Sequence, residues 1–521
     1  MAGLETGRIN IAARAVGVAQ GALDACISRA RTMTVGASTG PPHPPTLGDA
    51  AGDPRQPGPD PALADIATRV HAARLLTSWA AAMKDRGERC DLEAGMAKLY
   101  ASESAQDVAV QALVLHGSDG RLARLPVERH YRDTPLMIIG EGTNEIQRVV
   151  ITRNLLQRYG ERLGALTSRD DEPDDLRAMV MAVRQFVEKL IVPVASDLDA
   201  GGHYPAAIIA SLADLGIPGA LVPPEYGGLG VDPRTLVTIV EELARGSSTV
   251  AAVIASHVAV THAITRFGTD AQRERLLPPM TRGELTAVVV DGADVHETRT
   301  ATGARVRATA RAVENATRAS LFLLGSAGTS GAFVVPASRT RVGEPESMLG
   351  GRGLTAADVS IDSILDEDER LPQPALAAAT RLLRLATAAT AVGVAQAAFE
   401  AALRYAQQRT TFGVPIAQHQ AIQLKLADMA TRIAASRLLA SDAADHADAV
   451  GHIAMAKIGA TETAYHVTLD ALRIHGGYGY VSEFPVERLY RDAARLLVTP
   501  WPNEVERHRL ARQLAGAGET R

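Results

Sequence analysis

Cysteine, lysine and aromatic side chains are all scarce in this 521-residue chain, and each scarcity excludes something. Cys26 and Cys90 are the only cysteines, too few for a disulfide framework or a Cys-rich zinc site. The formal charge of -5 lacks the basic excess of a dedicated nucleic-acid binder. Lys84, Lys98, Lys189, Lys425 and Lys457 are the only lysines among 54 basic residues, a bias toward arginine that reads as genomic base composition and decides nothing about chemistry. Residues 385–403, LATAATAVGVAQAAFEAAL, carry no charge before Glu400. They are Ala and Thr rather than Leu and Phe, so transfer into lipid is poor and a buried helix is the reading. The opening MAGLETGRIN has neither the basic nor the apolar region of a signal peptide, and the expected location is the cytoplasm.

What is present is enough chain for about three or four domains with an ordinary globular balance, 46% apolar and 22% charged. An internal repeat organises it. PVERHYRD at 126–133 returns as PVERLYRD at 485–492, 359 residues later. The same offset pairs Met96-Ala97-Lys98 with Met455-Ala456-Lys457, His116-Gly117 with His475-Gly476, and Asn144-Glu145 with Asn503-Glu504. Upstream, GVAQ at 17–20 matches 393–396 and LADIATR at 63–69 matches LADMATR at 426–432. Between those words the first copy carries a longer Gly, Pro and Asp-rich loop, residues 34–62, expected to be mobile.

Each copy reads as about four long Ala-rich helices packed together, and an aromatic content of 4% suits close Ala-mediated packing. Between the copies, LRAMVMAVRQFVEKL and DPRTLVTIVEELARG read as helices. TAVVVDG, ARVRATA and AFVVPA read as strands of a small β-domain. The predicted order is a helical bundle (1–165), a helical domain (166–285), a β-domain (286–370) and a second bundle (371–521).

The words GRINIAARAVGVAQ, FPVERLYRDA, GEGTNEIQR, DLGIPGALVPPEYGGLG and FGTDAQRERLLPPM resemble the acyl-CoA dehydrogenase family along nearly the whole chain. The resemblance implies a mainly α fold: two homologous four-helix bundles, an N-terminal-type helical domain and a small β-barrel. Residues 166–521 resemble one complete subunit, preceded by the terminal bundle of another, as in a fused two-copy enzyme lacking the first copy's N-terminal and β-domains. The implied activity is FAD-dependent α,β-dehydrogenation of an acyl-CoA to its trans-2-enoyl thioester, with electron-transfer flavoprotein as electron acceptor. A homo-oligomer, or a hetero-oligomer with another acyl-CoA dehydrogenase subunit, is expected.

Such a reaction needs a base for a weakly acidic α-proton and donors that polarise the thioester carbonyl. Glu141 stands in Gly140-Glu141-Gly142-Thr143, ahead of a helix that Asn144 is expected to cap with Gln147 as capping-box partner. Spacing alone fits an ordinary solvated acid at a helix entrance; the resemblance makes Glu141 the base, its own N–H helping to bind the thioester oxygen. Thr143 and Glu145 occupy cofactor-touching positions. In the second copy the position of Glu141 is Pro500, which cannot take a proton. The flavin-contacting words show the reverse loss. Arg409-Thr410-Thr411-Phe412-Gly413, Gln420 and Gly476-Gly477 in the second copy resemble the segments that contact the flavin dinucleotide across subunits. Arg409 suits a pyrophosphate through its two-pronged donor geometry. In the first copy Met33 stands in place of Arg409, the long loop in place of Phe412-Gly413, and Gly117-Ser118 in place of Gly476-Gly477.

Arg473 stands where the family usually has glutamine, and residues 286–370 hold no tryptophan to cover a flavin ring. The second copy's own flavin pocket is therefore expected to be empty. His116 and His475 read as buried, hydrogen-bonded histidines, and the repeated Tyr-Arg-Asp triplets as structural, with Arg132–Asp133 and Arg491–Asp492 as local pairs. The competing functional reading is a non-catalytic or truncated assembly subunit that needs a partner to bind flavin.

Overall fold

The structure is a computed structural model that describes residues 2–36, 59–158, 174–300, 303–326 and 329–516. Most of the long loop expected to be mobile, and the side chain of Met33, lie outside the described residues. The first bundle consists of α1 (Ala2–Gly36), α2 (Ala62–Asp85), α3 (Asp91–Leu115), α4 (Pro126–Ile139) and α5 (Asn144–Arg158). Then come α6 (Asp174–Phe186), α7 (Ala195–Gly201), α8 (Ala206–Asp214), α9 (Pro233–Gly246), α10 (Ser248–Phe267) and α11 (Asp270–Thr281). The second bundle repeats the first as α12 (Pro374–Gln408), α13 (Gln420–Asp445), α14 (Val450–His475), α15 (Pro485–Leu496) and α16 (Asn503–Leu514).

Helices α10 and α12 are long and apolar enough to cross a membrane, yet 72% and 89% of their most apolar windows are buried inside the protein. They are core helices. Helix α12 is the hub, packed against α9 and α10 on one side and α13, α14 and α15 on the other. Its Gly393 sits against the backbone of Glu241 and the methyl of Ala244 in α9, so close that any side chain there would collide. Small residues set the spacing of this crossing.

The β-domain contains β1 (Ala287–Val290), β2 (Asp294–Arg299), β3 (Ala304–Glu314), β4 (Leu321–Leu324), β5 (Gly331–Pro336), β6 (Thr340–Val342), β7 (Ala356–Leu365) and β8 (Arg370–Pro372). Here the expectation of a barrel is corrected. The strands form two separate four-stranded sheets, ordered β1-β4-β5-β8 and β2-β3-β7-β6, and no ladder among the described residues joins their edges. A barrel needs hydrogen-bonded neighbours all the way round; these sheets stack face to face instead.

The reason is visible at edge strand β1. Its Ala287 N–H donates to His257 Nδ1 at 3.2 Å and its Val289 N–H to Ser256 Oγ at 3.1 Å, both on α10. Those donors cannot also serve a closing strand. Burial pushes His257 down to about 4, so it is neutral and free to accept, while its Nε2 donates to Met280 O at 3.1 Å. Alternate residues explain the layering: Val288, Phe322 and Phe333 fill the space between the sheets, whereas Val289, Leu323 and Val334 pack on the helices. A final short hairpin, β9 (Thr410–Thr411) and β10 (Val414–Pro415), joins α12 to α13.

The two bundles meet about a pseudo-two-fold axis. Arg148 of α5 pairs with Asp428 of α13 at 2.7 Å, and Arg507 of α16 pairs with Asp65 of α2 at the same distance. Both arginines also hold a glutamate of their own bundle, Glu103 and Glu462. Arg148 and Arg507, Glu103 and Glu462, and Asp65 and Asp428 are repeat equivalents. A self-complementary contact of this kind is how identical subunits associate, here within one chain.

Candidate active site split between two bundles

The chain leaves α4 through Gly140 and turns left-handed at Glu141 (φ 56°) and Gly142 (φ 90°) before entering α5. A non-glycine residue in that conformation costs roughly 1–3 kcal/mol and persists only where its surroundings dictate it. Lys98 supplies that constraint. Its fully buried Nζ donates to Ile138 O at 2.7 Å, Gly142 O at 2.9 Å and Asn144 Oδ1 at 2.6 Å. Gln147 Nε2 donates to Glu141 O at 2.9 Å. Burial pushes Lys98 down to about 8, against the pull of Glu103 and Glu145.

Asn144 therefore does not cap α5 as expected, because its amide is committed to Lys98 and to Ser102, 3.0 Å away. Gln147 reaches carbonyl oxygens rather than closing a capping box. The Glu141 carboxyl lies over Gly7 of α1, where any side chain would collide with it, and the residue is exposed. Beside it, Glu145 accepts hydrogen bonds from its own backbone N–H and from the Thr143 side chain, which hold its carboxyl below the usual range.

The second bundle keeps the scaffold and loses the acid. Lys457 Nζ donates to Leu497 O at 3.3 Å, Trp501 O at 2.6 Å and Asn503 Oδ1 at 2.6 Å, the repeat equivalents of the Lys98 acceptors. Burial brings Lys457 to about 8 as well. Trp501 carries the Arg509 guanidinium 3.4 Å above its ring. Asp291, just after β1, is pushed up by burial against the pull of Thr380, the Gly292 N–H, Arg509 and Trp501. The β-domain thus meets the helical corner at Asp291 and Trp501, and the position of the acid is Pro500.

Four of the residues expected to contact the dinucleotide gather elsewhere in the second bundle. Arg409, Thr411, Gly476 and Gly477 line an open cleft of about 770 Å³ together with Arg473, Tyr478 and Phe484. A side chain at Gly476 (φ 60°) or Gly477 would meet nothing within 4 Å, so backbone at this turn lies open to a ligand. Arg409 stands over the Tyr478 ring at 5.9 Å, and Tyr405 stacks on His475 at 4.3 Å. Two guanidinium groups, exposed backbone and aromatic faces suit a nucleotide with its phosphates, so the donor set fits the dinucleotide end of FAD. Phe412 lies outside the cleft, at the hairpin tip with its ring 97% exposed. Gln420 is exposed at the start of α13.

Glu141, Thr143 and Glu145 therefore share one corner, and Arg409, Thr411, Gly476 and Gly477 share another. Helix α5 runs from the first corner to α13 of the second bundle. Thr152 lies eight residues beyond Asn144, about 12 Å along a helix, and its hydroxyl donates at 2.6 Å to Gln423 O in the first turn of α13.

His116 and His475 are buried as expected, each with Nδ1 on a carbonyl one turn back, Ala112 O and Ala471 O, at 2.8 Å. The Tyr-Arg-Asp triplets are structural, with different partners from those expected. Arg132 pairs with Glu128, Arg491 with Glu487 and Asp199, and Asp492 accepts from the Gly351 N–H at 2.8 Å. Sequence reasoning missed Lys98 and Lys457 as the supports of both corners. A signal for them exists: two of only five lysines recur in the same Met-Ala-Lys word.

A mainly helical fold with a duplicated bundle, an open cleft whose donors suit a dinucleotide and a carboxylate on a constrained corner fits an oxidoreductase, and the comparisons agree. The acyl-CoA dehydrogenase C-terminal domain profile matches twice, at residues 55–156 and 375–515, and the N-terminal domain profile once, at 173–284. The 3-(aryl)acrylate reductase of Clostridium sporogenes is 35% identical over 364 residues, 64% of this chain and 96% of that protein. An acyl-CoA dehydrogenase of Bacillus subtilis is 32% identical over 365 residues, again 64% of this chain and 96% of the relative. The butyryl-CoA dehydrogenase structure from Megasphaera elsdenii superposes with a TM-score of 0.62 at 28% identity, covering 68% of this chain and all of that one. The chain belongs to the FAD-dependent acyl-CoA dehydrogenase family of oxidoreductases, with an additional copy of the family's C-terminal bundle.

Proposed function

We propose that this chain provides both halves of one composite flavin site for α,β-dehydrogenation of an acyl-CoA to its trans-2-enoyl-CoA. The observation that carries the reading is the division of parts. One bundle offers Glu141 on a constrained, exposed corner, the other offers the Arg409–Gly477 cleft, and α5 docks the first corner's helix on α13 of the second bundle. FAD, when bound, supplies the hydride acceptor for the β-carbon. Arg409 and the open backbone at Gly476 and Gly477 hold its dinucleotide end, with Thr411, Phe412 and Gln420 at the margin. Glu141 takes the α-proton. The Lys98 and Gln147 hydrogen bonds fix the backbone that aims it, so the carboxyl need not be ordered during the reaction.

A second helical-plus-sheet module completes the site. Residues 174–370 cover the second bundle's corner: Thr380 is 8% exposed, and Arg495, 5% exposed, is ion-paired to Glu314 of β3. Their repeat equivalents in the first bundle, Leu4 and Leu136, are 53% and 65% exposed. A like module from a homo- or hetero-oligomeric acyl-CoA dehydrogenase subunit buries this face and excludes water. Electrons then pass to an electron-transfer flavoprotein.

The alternative, an assembly subunit that turns over only with a partner, draws on the Trp501 corner, where the position of the acid is Pro500. The visible spectrum of the purified full chain with added FAD separates the readings. Bound flavin that bleaches on adding acyl-CoA supports the enzyme. A colourless chain that becomes active only when mixed with a flavin-bearing partner subunit supports assembly, and no bleaching under either condition overturns the dehydrogenase reading.

A further inference from the structure

A second constellation lies at the contact between the bundles and takes no part in the flavin chemistry. His71 of α2 in the first bundle and His452 of α14 in the second both donate to one carboxylate oxygen of Asp442 on α13. The distances from Oδ2 are 2.8 Å to His71 Nε2 and 2.7 Å to His452 Nδ1. The two rings meet edge to face at 5.1 Å. All three potential ligand atoms lie within 4.8 Å of one another, and all three residues are half-buried. His446 stacks on His452 at 4.5 Å, its Nδ1 engaged with Asp442 O at 2.8 Å.

We infer that His71, Asp442 and His452 form a site for a zinc-class divalent ion that bridges the two bundles. Two imidazoles and one carboxylate are the donor set such borderline ions take, with water in the fourth position. Bonds of about 2.0–2.1 Å at a tetrahedral centre set neighbouring donors about 3.3 Å apart, so the two His–Asp contacts open by about half an ångström while the histidine nitrogens, within 4.8 Å of each other, draw together.

The pseudo-two-fold axis sharpens the inference. The repeat equivalents of His71, Asp442 and His452 are Ala434, Trp79 and Glu93, so the constellation exists on one side only. It is not a by-product of the duplicated packing.

The test is titration of the metal-free full chain with Zn²⁺ by calorimetry and with Co²⁺ by visible absorption. One ion per chain, with the intense visible bands of low-coordinate Co²⁺, is expected. His71→Gln and His452→Gln keep a side-chain donor toward Asp442 and should each weaken binding by at least about 10- to 100-fold, the loss seen when even an indirect partner of a metal site is removed. Circular dichroism checks that both variants fold. Absence of saturable one-per-chain binding in the parent protein overturns the proposal whatever the variants do, and so does parental affinity in the folded variants.

Discussion

The corners at Glu141 and at Pro500 share a skeleton and differ in what covers them. Each is held by a buried lysine with three oxygen acceptors and by an asparagine tied to a hydroxyl, Ser102 in one and Thr461 in the other. At Pro500 the β-domain brings the buried Asp291 to Trp501. At Glu141 no such cover lies over the corner among the described residues, and the carboxylate is exposed. The geometry that aims a residue is the same in both copies, while the residue itself differs.

The sharpest way to break the comparison is Glu141→Gln. Loss of a positioned base costs about 10²- to 10⁴-fold, so turnover by the flavin-loaded complex should fall by that factor while circular dichroism stays unchanged. The reciprocal Pro500→Glu should gain no activity, because Asp291 meets Trp501 at that corner and residues 286–370 carry no tryptophan to cover a flavin ring. Retained turnover in the first variant, or new turnover from the second corner in a Glu141→Gln background, would remove the asymmetry.

Arg409→Met gives the second bundle the residue found at the matching place in the first. FAD binding should weaken about 10- to 100-fold, the effect of losing about 1.5–3 kcal/mol of hydrogen bonding to a charged group. Fluorescence quenching of added FAD measures it, and an unchanged affinity would move the clamp away from the Arg409 cleft.

Lys98→Met and Lys457→Met probe the shared skeleton. Each leaves buried acceptors short of a donor and should cost about 1–3 kcal/mol in chemical denaturation. Only Lys98→Met should also lower turnover, since only that corner aims an acid. Both lysines have folded-state values near 8, below the ordinary 10.5. Between those values the unfolded chain binds more protons, so each lysine adds stability as pH rises through the window. Denaturation curves from pH 7.5 to 10 should show the smallest of the effects: a flatter rise in either variant than in the parent. Parallel curves would show that the burial of the lysines does not reach their protonation.

Much of this architecture is legible in the order of residues. The repeated words locate both bundles, the Pro500 substitution and the asymmetry of the clamp, because helical periodicity and short turns are written locally. The cover of the second corner is not legible: the Trp501 and Asp291 contact does not follow from order along the chain. The barrel expectation fails for a related reason. Strand-like runs do not say where their edge donors go, and His257 and Ser256 of a helix claim those of β1.

The sequence alone determined that two related helical bundles flank a helical and a β segment, that one copy carries Glu141 where the other has Pro500, and that the other carries Arg409 where the first has Met33. These are properties of residue type and spacing within some tens of residues. Only the tertiary structure decided that the bundles pair through Arg148–Asp428 and Arg507–Asp65, that buried lysines fix both corners, and that His71 meets Asp442 and His452. Those contacts join residues far apart along the chain, where ion pairing and burial act through space and leave no periodic trace in the sequence.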